Sequence, residues 1–293
     1  MQTRNQEDFE IKAGDSVARF SSLGAECLAW SVGSQRLTWQ PDASVWPSVC
    51  PVLFPVCGWS RNGEILIDGQ VYPMPVHGIA PSALFEPRRL SESEIGFRLE
   101  ADDATRKSYP FEFAFDVTYR LGPGDLTVTM KTENKGARPM PYACGLHPGF
   151  RWSAQPGSHW IEFEADEKPE VPQIAPGGLF SSRTRPVSLN GQRLSLSRDL
   201  FANEALCFLD TVSRRFKYKS PGGCLEVYAP DFPHLILWSR APGEFLAIES
   251  WTGTGDPDGS PADFFERPSM IHLGGGESRQ HRLMYSWTPA GNV

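Results

Sequence analysis

Between Phe111 and Leu121 every second residue is large and apolar: Phe111, Phe113, Phe115, Val117, Tyr119 and Leu121. Glu112, Asp116, Thr118 and Arg120 are among the residues between them. A two-residue period puts alternate side chains on opposite faces of an extended chain, so this segment reads as a long strand with one buried face. Gly122-Pro123-Gly124-Asp125 then turns the chain, and Leu126, Val128 and Met130 resume the alternation, which predicts an antiparallel hairpin. The pattern recurs at 16–20, 25–30, 64–67, 224–228, 235–239, 245–249 and 281–287. No stretch longer than about twelve residues carries a helical period. With 27 Gly and 26 Pro the chain is broken too often for long helices, so its strands must close into a large sandwich or barrel.

A chain of 293 residues, 40% of them hydrophobic, can bury the core that such a fold needs, and a single domain over 1–293 is expected. The Pro-rich run Trp46–Pro55 is too apolar for a linker and reads as a buried irregular segment. Residues Glu167 to Gly178 read as a surface loop. A net charge of -7 and a pI near 5.5 argue against a nucleic-acid partner, since Arg88-Arg89 and Arg214-Arg215 are isolated pairs. No apolar run is long enough to cross a membrane as a helix, and Met1 to Glu10 is polar, so a cytoplasmic location is expected. Cys27, Cys50, Cys57, Cys144, Cys207 and Cys224 form no C-x-x-C pair and read as buried reduced thiols rather than metal ligands.

Three distant segments carry the candidate chemistry: Met74-Pro75-Val76-His77-Gly78, Leu146-His147-Pro148-Gly149-Phe150 and Ile248-Glu249-Ser250-Trp251. Two imidazoles and a carboxylate in tight Gly, Pro and Trp settings form an acid/base set suited to one small polar molecule. Pro148 restricts His147 to an extended backbone, and Gly78 permits close approach beside His77. His159, His234, His272 and His281 lack such a context and read as structural. Asp256 and Asp258 lack the spacing and terminal Glu of a calcium loop and read as turn caps. Trp59, Trp238 and Trp251 are candidates to stack on the apolar face of such a molecule, while most of the nine Trp belong to the core.

Pro51–Pro55, Tyr72–Ala80, Gly145–Phe150 and Phe245–Trp251 together resemble the ordered signature of the aldose 1-epimerase (galactose mutarotase) family, most of all its LacX-type bacterial branch. The resemblance runs from about Leu23 to the last strand. It implies an all-β fold, a large antiparallel β-supersandwich of the galactose mutarotase kind, whose cleft takes a free hexose. It also implies a metal-independent mutarotase with no cofactor, in which Glu249 matches the base, His147 the acid and His77 a substrate-binding histidine. With ordinary pKa values of about 4.3 and 6.5, Glu249 is ionised at neutral pH unless strongly desolvated, and His147 is partly protonated, its charged form favoured by a neighbouring carboxylate.

The implied partner is a small-molecule sugar, a monosaccharide or a sugar phosphate, bound by a monomer or a homodimer. Trp59 stands where many relatives have Arg, and either Arg61 two residues later replaces it or the contact is lost. Glu204 stands where relatives often carry Asp, Ser250 where they carry Pro, and Ile79-Ala80-Pro81 replaces Phe-Ala-Arg. These departures are expected to surround the sugar. Two other classes stay open: a sugar-binding or sensing protein without useful turnover, and a sandwich-fold glycoside hydrolase or lyase. A hydrolase normally needs two carboxylates, and only Glu249 has a motif context.

Overall fold

A computed structural model describes residues 5–153, 155, 157–259 and 263–291. The alternation becomes the expected hairpin: Phe113–Gly122 pairs antiparallel with Asp125–Asn134, from Phe113 opposite Asn134 to Gly122 opposite Asp125. Its loop is Pro123-Gly124, and Gly124 (φ +81°) takes the left-handed backbone that a two-residue turn requires. Helical turns among the described residues are limited to four 3₁₀ segments of three or four residues. None is long and apolar enough to cross a membrane.

This hairpin lies within a nine-stranded antiparallel sheet. In spatial order the strands are Arg193–Ser195, Trp160–Phe163, Arg215–Ser220, Gly223–Tyr228, Ser278–Pro289, Asp125–Asn134, Phe113–Gly122, Glu94–Glu100 and Glu86–Arg89. A smaller antiparallel sheet runs Leu206–Phe208, His234–Trp238, Phe245–Trp251, Gly145–Leu146 and Val52–Leu53, with Gly149–Arg151 also paired to Phe245–Trp251. The two sheets meet through aromatic rings. Phe54 stacks on Phe115 at 4.3 Å, Phe163 meets Phe208 at 5.2 Å and Phe150 meets Tyr285 at 5.7 Å. Truncating such a fully buried Phe costs about 3–5 kcal/mol, so this seam is a principal source of stability. A four-stranded sheet, from Asp8–Ala13 to Gln35–Arg36, covers more of the same face through Phe20, whose ring lies 4.5 Å from Tyr119.

The smaller sheet has two buried faces, and its alternation sorts them. Val52, Leu146, Leu235, Leu237 and Ile248 join the main core, whereas Leu53, Cys207, Ile236 and Trp251 form a second cluster with Phe180. Phe180 comes from a hairpin, Glu170–Ala175 with Leu179–Pro186, which corrects the reading of 167–178 as a surface loop. The register shifts between Pro172 and Ile174, and that bulge hides the two-residue period in the sequence.

Candidate active site

Strand register alone brings His147 to Glu249. Leu146 lies opposite Ser250 and Gly149 opposite Ala247, so the antiparallel register is unbroken across the intervening pair and His147 falls opposite Glu249. Ile248 N–H donates to Pro148 O (3.0 Å), closing the same gap. The next strands continue the row, with Ile236 opposite Glu249 and Cys207 opposite Ile236. His147 Nε2 stands 3.4 Å from Glu249 Oε1, and both residues are buried. The other carboxylate oxygen, Oε2, accepts a hydrogen bond from the Trp251 indole Nε1–H (2.9 Å). Trp251 is itself buried, so its observed contact is with the carboxylate edge rather than an open stacking face.

Rings enclose the His147 imidazole. Trp46 lies 4.9 Å away at 31°, Trp238 5.6 Å away at 90° and His77 5.3 Å away at 82°. Gly149 makes room for Trp46, because a Cβ there would stand 2.5 Å from the indole. Trp46 was missed in the sequence, where it is one aromatic in an irregular segment. The signal that could have found it is the Gly two residues after His147.

His77 is held by its backbone and by its ring. Its N–H donates to Gly58 O (2.9 Å), its C=O accepts from Phe54 N–H (3.2 Å), and Gly58 N–H donates to its Nδ1 (3.2 Å). An Nδ1 that accepts is unprotonated, so the neutral ring carries its hydrogen on Nε2 as a donor. His77 is left-handed (φ +65°), and so is Gly78 (φ +87°), where a Cβ would fall 2.1 Å from Phe54 O. The sequence expectation of close approach beside His77 is met in this contact.

Burial governs the electrostatics. Glu249 is pushed well above the usual carboxylate range by desolvation, opposed by the Trp251 hydrogen bond. Desolvation, reinforced by His77, pushes His147 well below the usual imidazole range, and desolvation lowers His77 to about 4. An ionised Glu249 beside a partly protonated His147 is therefore not the resting arrangement. The dry environment favours the neutral pair, with one proton held between carboxyl and imidazole and no net charge. His147 Nδ1 has no hydrogen-bond partner among the described residues.

The remaining sequence candidates lie on loops. Trp59 is half exposed, and a Cβ on Gly178 would run into its ring, so it packs against the turn of the Glu170–Pro186 hairpin. Arg61 directs Nη2 to Pro257 O (2.7 Å) and Gly259 O (2.5 Å). Glu204 is exposed and left-handed (φ +70°), and its backbone O accepts from Arg185 Nη2 (3.4 Å). None of these three forms a hydrogen bond or ion pair with His147 or Glu249. Ser250 is buried opposite Leu146 and Leu235 on the core face, which corrects its expected place around the sugar.

A second arginine organises this rim and was missed. Arg267 is buried, donates to Trp59 O (3.1 Å), Thr254 O (2.9 Å) and Ser60 Oγ (3.1 Å), and brings Nε within 3.1 Å of Asp256 Oδ1. Asp256 Oδ2 also accepts from Arg61 N–H (2.8 Å), so Asp256 ties two loops together rather than capping one turn. The six cysteines are all buried and free, and no group of three or more His, Cys, Asp or Glu among the described residues could hold a metal ion.

Comparison with known proteins bears on this geometry. Residues 7–285 match the aldose 1-epimerase family. The plasmid-encoded protein LacX of Lactococcus lactis is 29% identical over 261 residues, covering 83% of this chain and 87% of LacX. A galactose mutarotase-like protein from Lactobacillus casei has the same fold with a TM-score of 0.91 at 25% identity, covering 96% of this chain and all of the other. Galactose 1-epimerase from Lactobacillus acidophilus shares the fold at a TM-score of 0.71 and 10% identity, covering 98% and 99% of the two chains.

Proposed function

The chain belongs to the aldose 1-epimerase family, and we propose that it interconverts the α and β anomers of a free aldose by acid/base opening and closing of the sugar ring. The observation that carries this reading is the 3.4 Å approach of His147 Nε2 to Glu249 Oε1. Opening a hemiacetal removes a proton from the C1 hydroxyl and delivers one to the ring oxygen. Both oxygens are bonded to C1, so the acid and base that serve them must themselves be neighbours.

Glu249 takes the hydroxyl proton and His147 protonates the ring oxygen. The C5–OH is then free, the aldehyde turns about C1–C2, and closure on its other face returns both protons with the roles exchanged. The pair holds one proton throughout, so each half-reaction balances within it. Sugar hydroxyls and the Trp251 indole N–H favour the carboxylate form of Glu249, while the rings of Trp46 and Trp238 favour imidazolium at His147. His77 donates from Nε2 to the ring oxygen or an adjacent hydroxyl. Trp59, Arg61 and Glu204 are assigned to the outer part of the sugar site. The same reading makes a small-molecule sugar the partner and the cytoplasm the place of action.

A glycosidase would need a second carboxylate about 5–5.5 or 6.5–9.5 Å from the first, and the contacts of the His147 cluster bring in only Glu249 among the described residues. The test is a polarimetric and NMR exchange screen over hexoses, pentoses and hexose 6-phosphates. At least one freshly dissolved sugar should equilibrate faster with the protein, and His147→Ala should abolish the effect. If no sugar responds, the epimerase reading fails and equilibrium binding decides whether the chain is a sugar-binding protein.

A further inference from the structure

Glu26 lies outside the acid/base cluster, next to the strand Cys27–Val32, yet its carboxylate reaches the Pro-rich strap that runs beside His147. Oε1 accepts the backbone N–H groups of both Val49 (2.6 Å) and Cys50 (2.9 Å). The strap in turn meets the His147 segment at three points. His147 N–H donates to Pro51 O (3.0 Å), Gly149 N–H donates to Val49 O (2.8 Å), and Trp46 sets its ring 4.9 Å from the imidazole.

We propose that Glu26 is a positioning residue for His147, acting through the Trp46–Pro51 strap. The effect on rate rests on the epimerase reading of His147; the effect on where the ring sits does not.

The strap is short of backbone donors of its own. Pro47 and Pro51 remove two donors from it, and strand pairing by residues Val52–Leu53 starts only beyond Pro51. Val49 and Cys50 are buried, and their N–H groups would be unsatisfied without Glu26, because the bonds to the His147 segment use strap carbonyls instead. One carboxylate oxygen therefore fixes two consecutive peptide units. Those units lie beside the carbonyls that hold His147 and Gly149, so a shift of the strap moves the imidazole relative to Glu249. A misplacement of about 1 Å costs on the order of a hundredfold in rate where groups act by proximity.

The test compares Glu26→Ala with Glu26→Gln. Imidazole signals of His147 are read by NMR in sugar-free protein, assigned by their loss in His147→Gln, and anomer exchange gives kcat and KM. The Gln amide oxygen can accept the same two N–H groups, so Glu26→Gln should keep the His147 signals and hold kcat within about threefold. Glu26→Ala should move those signals and lower kcat about tenfold to a hundredfold, with KM changed less than about threefold.

The proposal is overturned if Glu26→Ala melts earlier yet leaves the His147 signals and kcat unchanged, because Glu26 would then be scaffold alone. It is equally overturned if Glu26→Gln is as impaired as Glu26→Ala, since the charge and not the acceptor would matter. If Glu26→Ala does not fold, amide exchange at Val49 and Cys50 in the unaltered protein decides: protection, with unshifted His147 signals in Glu26→Gln, supports the strap, and rapid exchange at both amides overturns it. If the unaltered protein turns over no aldose, the epimerase reading falls while the His147 signals still decide the positioning.

Discussion

His147 and Glu249 are brought together by strand register, whereas Trp59, Arg61 and Arg267 are held by side-chain bonds between loops. The pair sits in the middle of a sheet whose backbone bonds would persist if either side chain were changed. The rim depends on Asp256 joining two arginines and on carbonyls from two loops. Chemistry at the centre can therefore be altered without moving the scaffold, while changes at the rim move the scaffold first.

The sharpest way to break this comparison is Glu249→Gln. It keeps the shape and the strand bonds, and on the epimerase reading it should lower kcat about a thousandfold, or ~4 kcal/mol. Because a buried carboxyl is replaced by an amide, the melting temperature should not fall; a large drop would show that the centre is also scaffold. Arg267→Met should do the reverse, costing about 3 kcal/mol of folding stability by leaving Asp256 and three acceptors without their cation. Urea unfolding measures that loss, and the surviving folded protein should be altered in KM more than in kcat.

Trp251→Phe removes the one side-chain donor to Glu249 Oε2 among the described residues and should lower kcat about tenfold, consistent with a charge-assisted hydrogen bond of about 1.5–3 kcal/mol that is partly replaced by the sugar. An unchanged rate would move Trp251 from the centre to packing.

His77 connects the two regions and gives a pH test. Its folded pKa is lowered to about 4, so between there and the unfolded value near 6.5 the unfolded chain binds the extra proton. Stability from this group is complete above that range and declines as pH falls through it. The slope is at most about 1.4 kcal/mol per pH unit, discounted because His77 is only partly buried. Urea unfolding between those pH values should show His77→Gln with a shallower acid decline than the unaltered protein. The smallest effect is expected at Arg61→Ala, where loss of the two loop carbonyl contacts should raise KM about threefold and leave kcat unchanged.

How much of this was legible in the sequence follows the same division. The hairpin from Phe113 to Asn134 was legible because both of its strands alternate, and the motif segments marked His147, Glu249 and His77. Residues 167–178 look like loop in the sequence because a bulge interrupts the period of Val171 and Ile174. Trp46 and Arg267 gave no local signal and Asp256 signalled only a turn, since each acts on residues far away in the chain. Ser250 was placed by its motif neighbours, yet one step along a strand reverses the face, and it points into the core. The protonation of the central pair also escaped, because desolvation depends on packing from several strands and not on the residues beside Glu249.

Gly58 is both acceptor for the His77 main chain and donor to its ring. The hydrogen that His77 can offer outward is thus assigned by a peptide group, which neither titrates in this range nor changes with the side chain at that position. In evolutionary terms the polarity of this contact is inherited with the loop. Substitutions around the rim can retune which hydroxyls are held, but turning His77 from a donor into an acceptor of hydrogen would require the Gly58 loop itself to be rebuilt.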